Sequence, residues 1–97
     1  MDKIYLITFN PGLNFNHTIF HKYISELFEN GHISDWWHYI DNTYLIRTSS
    51  PVNTLYNIIY PGVPQRYLFI IEVNPENSQG WLPKEAWTWI QKYQQKK

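Results

Sequence analysis

Apolar and polar positions along this chain follow two periods, and each change of period marks an element. From Lys3 to Phe9 the period is two: Ile4 and Leu6 point one way, and Tyr5, Ile7 and Phe9 the other. Both sets are apolar, which predicts an interior strand covered on two faces. Asn10-Pro11-Gly12 stops it, because Pro11 lacks a ladder donor and Gly12 permits a turn. The period then lengthens. Ile19, Phe20, Tyr23, Ile24, Leu27 and Phe28 form one stripe of a helix running from His17 to Asn30, with Lys22, Ser25, Glu26 and Glu29 opposite. Asn14 or Asn16 caps its start, and Gly31 sits where a left-handed residue ends it.

The middle of the chain reads as a β-hairpin. Trp36-Trp37-His38-Tyr39-Ile40 and Thr43-Tyr44-Leu45-Ile46-Arg47-Thr48 are rich in aromatic and β-branched residues, and Asp41-Asn42 between them suits a tight turn. Ser50 as N-cap with Pro51 at the first helical position predicts a short second helix. Its stripe is Val52, Leu55, Tyr56 and Ile59, and Pro61-Gly62 ends it. Gln65 to Val73 is a further strand, with Tyr67, Phe69, Ile71 and Val73 on one face and Leu68 and Ile70 on the other. A polar loop follows, then a third helix in which Leu82 caps, Pro83 leads, Glu85 reaches back and Trp81 staples against Ala86. Ala86, Trp89, Ile90 and Tyr93 form its inward stripe.

This order predicts one α+β domain over residues 1–97: a ferredoxin-like βαββαβ sandwich with an additional C-terminal helix, residues 74–97 being a loop–helix extension. The two crossover helices of such a fold cover one face of the sheet. Ile4, Leu6, Leu68 and Ile70 are the smaller set and suit packing under helices. Tyr5, Ile7, Phe9, Tyr67, Phe69 and Ile71 then form an aromatic-rich second face, to be covered by a second copy of the chain or by the C-terminal segment. The expectation is a two-fold homodimer with Phe9 or Phe69 near its centre and Tyr5 and Tyr67 beside them.

Composition narrows the chemistry. Aromatics make up 19% of the residues and charged side chains 16%, and formal net charge is zero, so no overall field draws nucleic acid or an acidic membrane. Cysteine is absent, which removes disulfides and thiolate chemistry together. No apolar run spans a bilayer, and Met1-Asp2-Lys3 leads straight into a strand rather than a signal peptide; a cytoplasmic protein is expected.

Candidate sites are sparse. His17 and His21 stand one helical turn apart, the spacing of a two-imidazole metal pair, but packing and capping explain them as well. His38 alternates with Trp36 and Ile40, with no nucleophile tied to it. Glu72 lies on the Leu68/Ile70 face, where it reaches water or meets a cation. Arg47, Arg66 and the C-terminal lysines offer phosphate contacts, with Trp and Tyr as stacking platforms. Asn10, Trp36, Trp37, His38, Arg47 and Trp81 are the candidate binding residues; no catalytic residue, metal or cofactor is implied.

Tyr5-Leu6-Ile7-Thr8-Phe9-Asn10 and the hairpin from Trp36 to Ile46 resemble the small SinR-like proteins, relatives of the CRISPR-associated ferredoxin-like endoribonucleases. The resemblance covers residues 3–73 and implies a ferredoxin-like protomer that dimerises through its sheets. It also implies an acidic metal ligand at the end of the first strand. Asn10 stands there instead, a neutral amide and a poor ligand for a hard cation, and Phe9 replaces a frequent Tyr. The expected function is therefore a non-enzymatic, homodimeric binding module that engages a protein partner in a defence-related or regulatory process. The alternative is a metal-dependent nuclease or nucleic-acid binder of the endoribonuclease type.

Overall fold

A computed structural model describes residues 2–10, 15–38, 42–63, 67–74, 80 and 83–92. In chain order its elements are β1 (Lys3–Phe9), α1 (His17–Glu29), β2 (Asp35–His38), β3 (Thr43–Thr48), α2 (Val52–Ile59), a 3-10 turn (Tyr60–Gly62), β4 (Leu68–Val73) and α3 (Lys84–Lys92). Every strand pair is antiparallel, and the sheet order is β2-β3-β1-β4. It follows that β1 and β2 run parallel with β3 between them, and β3 and β4 run parallel with β1 between them. The architecture is α+β, with α1 and α2 as the two crossovers. Among the described residues no helix is long and apolar enough to cross a membrane.

Local signals place the helix ends. The Asn16 side chain accepts the Ile19 N–H at 3.0 Å, satisfying a donor that the first turn of α1 leaves open. At the other end Gly31 takes φ +80° and its N–H donates to the Phe28 carbonyl at 3.1 Å, a conformation that an L side chain resists. α2 begins one residue later than expected. Pro51 is extended, with φ −69° and ψ 163°, so it flanks the helix, and the Ser50 N–H donates to Thr48 Oγ1 at 3.2 Å. The turn residue Asp41 and the predicted cap at Leu82 lie outside the described residues.

Strand register corrects the predicted faces. Ile7 pairs with Ile70 and Phe9 with Leu68, so odd positions of β1 share a face with even positions of β4. Tyr5, Ile7 and Phe9 therefore belong with Leu68, Ile70, Tyr44 and Ile46, and all pack under α1 and α2. Ile4 and Leu6 share the other face with Phe69, Ile71 and Val73. The aromatic set of β1 is core: Tyr5 is 2% exposed and Phe9 4%, so neither is a dimer contact. The Phe9 ring centroid lies 5.2 Å from Phe15 and 5.0 Å from Phe20, and Phe20 meets Tyr44 edge-on at 5.2 Å. Large rings fill the space under two helices; parity along one strand cannot reveal which face those helices choose.

Both helical stripes are narrower than the sequence pattern. Phe20, Ile24 and Leu27 of α1 are buried, while Ile19 and Phe28 face solvent. In α2, Leu55 and Ile59 are buried, and Val52 and Tyr56 are exposed. Two hydroxyls tie elements together: Tyr23 of α1 donates to the Ile58 carbonyl of α2, and Tyr5 of β1 to the Ser50 carbonyl before α2 at 3.1 Å. After α2 the chain passes close under α1 at Gly62. A Cβ there would come within 2.9 Å of the Phe20 and Tyr23 rings.

Gly62→Ala is expected to lower stability by about 1–3 kcal/mol, as overpacking a filled core does. Gly80→Ala, where a Cβ meets nothing within 4 Å, should change it by less than about 0.5 kcal/mol; urea unfolding of both variants checks the contrast. Burial raises the Tyr23 phenol above its ordinary value of 10.0. The folded chain thus holds that proton more tightly than the unfolded chain. The resulting stability is complete below the unfolded pKa and is lost as pH rises through the folded one. Unfolding midpoints followed above about pH 10 should fall less steeply for Tyr23→Phe than for the wild type.

Candidate interaction surface

α3 lies across the second face of the sheet. Its Ala86, Trp89 and Ile90 are buried, spaced to form one stripe of a nine-residue helix. Ile4, Trp89 and Ile90 form a separate small core, flanked by Trp37, Leu45, Val73 and Trp87. A helix of that length spans about 14 Å, less than the sheet it lies on. Coverage stops along β4: Val73 is packed, whereas Ile71 is 45% exposed, Phe69 59% and Tyr67 84%. The result is a strip of three large side chains on an edge strand, an arrangement that soluble chains usually blunt.

The strip ends at an open groove of about 400 Å³ where β1, β4 and the start of β3 meet. Two backbone bonds fix its floor: the Phe9 N–H donates to the Asn42 carbonyl at 3.2 Å and the Asn10 N–H to the Tyr67 carbonyl at 2.9 Å. Asn10, Asn42, Tyr67 and Phe69 line it, so amides and ring faces share one opening. Such a mixture suits a planar or amide-bearing group. Among the described residues no group of three His, Cys, Asp or Glu side chains could hold a metal ion. Glu72, the carboxylate on the helix-covered face, stands 3.9 Å from Lys3 Nζ with both side chains about half exposed, a pair that contributes little.

Of the residues singled out in the sequence, Asn10, Tyr67 and Phe69 come together around the groove. Trp36 and Trp37 part company. Trp36 joins the helix-covered core, and Trp37 packs beside α3 on the opposite face. His38 stacks on Tyr44 with centroids 4.1 Å apart and planes at 10°. Arg47 pairs with Ile4 at the other end of β1 from Asn10, and its Nη2 is 3.1 Å from Asp2 Oδ2. Trp81 lies outside the described residues. His17 packs edge-on to Phe15 at 5.0 Å, while His21 meets Trp36 at 4.8 Å, so the two helical histidines have different neighbours. Ile71 continues the strip as its period-two match with Tyr67 and Phe69 predicts.

Trp89→Ala is expected to cost about 3–5 kcal/mol, the usual loss for a buried aromatic, while Phe69→Ser at the exposed strip should stay within about 0.5 kcal/mol at concentrations low enough to keep the chain monomeric. Denaturant midpoints of the two variants separate the covered from the uncovered part of this face. No family model matches this chain, and no curated protein or solved structure matches it either.

Proposed function

We propose that this chain is a non-enzymatic interaction module that works as a cytoplasmic homodimer and engages a protein partner, in a defence-related or regulatory process. The observation that carries this reading is the exposed strip of Tyr67, Phe69 and Ile71 beyond the reach of α3. Exposed Tyr and Phe side chains concentrated on one face favour association, because each brings large apolar area at low cost in side-chain entropy. The split strand pairs and the order β2-β3-β1-β4 support a ferredoxin-like protomer. Asn10 supports a binding role over cleavage, since its amide is a poor ligand for a hard cation.

The groove beside Asn10 favours a second reading, a nucleic-acid binder. Amide groups next to exposed Tyr67 and Phe69 rings are the elements of a base-stacking site. Gel-shift titration with RNA and DNA over a range of salt, beside incubation with divalent metals, separates the readings. Neither a shift nor cleavage is expected. Salt-sensitive binding lost in Asn10→Ala would establish the second reading.

Sedimentation at micromolar concentration tests the dimer. The wild type is expected as a dimer and Phe69→Glu as a folded monomer. A wild type that sediments as a monomer throughout refutes the homodimeric part of the proposal.

A further inference from the structure

The helix-covered side of the sheet carries, at its β2 edge, two imidazoles that the interaction surface does not use. His21 comes from α1 and His38 from the end of β2, and their ring centroids are 5.6 Å apart with planes at 63°. Ring nitrogens about 2.0–2.1 Å from one shared ion, at a tetrahedral angle, put two imidazole centroids about 5 Å apart. The observed centroid separation lies close to that value. The rings also rest on a fixed floor. His38 is stacked on the buried Tyr44, and His21 stands edge-on to Trp36, with its centroid 6.4 Å from Tyr44. Rings already oriented lose less rotational freedom on ligation.

We propose that His21 and His38 form a two-imidazole binding site for one transition-metal ion of the Zn²⁺, Ni²⁺ and Cu²⁺ class. Imidazole nitrogen is a borderline donor that suits these ions, whereas Mg²⁺ and Ca²⁺ require oxygen ligands. Among the described residues no third His, Asp or Glu joins the pair, and His21 is exposed. An ion held there cross-links α1 to β2, and its binding adds to the stability of the fold. The competing explanation is aromatic packing alone, in which the four rings form a cap over the sheet edge and metal has no effect.

Calorimetric titration of the untagged full-length chain with Zn²⁺ tests the site. One ion per chain is expected, a matching rise in the thermal midpoint, and no response to Mg²⁺. His21→Phe and His38→Phe keep an aromatic ring in place and remove the donors. Each should weaken Zn²⁺ binding at least tenfold, since even an outer partner of a metal site carries about that loss. His17→Ala should leave binding unchanged. Imidazole NMR signals of the wild type give a readout free of substitutions: one equivalent of Zn²⁺ should move those of His21 and His38 and spare His17 and His32. Unaltered binding in either Phe variant, shifts at His17 or His32 instead, or no Zn²⁺ binding at all would overturn the proposal.

Discussion

β1 must be covered twice, and the rest of the fold answers to that requirement. It is an inner strand with apolar side chains on both faces, so no single layer of helices can bury it. Tyr5, Ile7 and Phe9 demand a thick layer, which α1 and α2 supply with Phe20, Ile24, Leu55 and Ile59. Ile4, on the reverse, is closed off by Trp89 and Ile90 of α3. A crossover pair alone would leave Ile4 facing water; α3 removes that cost and at the same time defines where coverage ends.

The boundary of that coverage organises the surface. Val73 lies on the packed side and Ile71 on the open side, two residues along the same face of the same strand. Beyond it Phe69 and Tyr67 lead to Asn10, joining the apolar strip to a groove of mixed lining. The imidazole pair sits on the opposite face, at the β2 edge, so the two candidate sites belong to different faces and different edges of one sheet.

Features written in neighbouring residues were legible before any coordinates. The Asn16 cap, one of two candidates in the pattern, the left-handed Gly31 and the alternation of β1 depend on contacts a few positions apart. Features set by register were not. Nothing in the order of Tyr5-Leu6-Ile7 states that Ile7 opposes Ile70 rather than Phe69, and that single step moved Phe9 from a proposed contact to the core. The candidate site divides the same way: Phe69 and Tyr67 were visible as exposed-face residues of a strand, whereas the meeting of His21 with His38 depends on how α1 lies on the sheet. The stripes of α1 and α2 were read too broad because amphipathic spacing marks a sector, and packing against one sheet uses only its centre.

Two apolar cores on opposite faces of one sheet need not melt together. The larger binds α1, α2 and one face of all four strands; the smaller holds α3 mainly through Ile4, Trp89 and Ile90. Release of α3 leaves the larger core and the hydrogen-bonded sheet whole, so it is a partial opening whose free energy lies below that of global unfolding. In the opened form Ile4, Leu45 and Val73 join Ile71 and Phe69 in one continuous apolar face. The apolar area on this face of the sheet thus depends on one short helix staying docked.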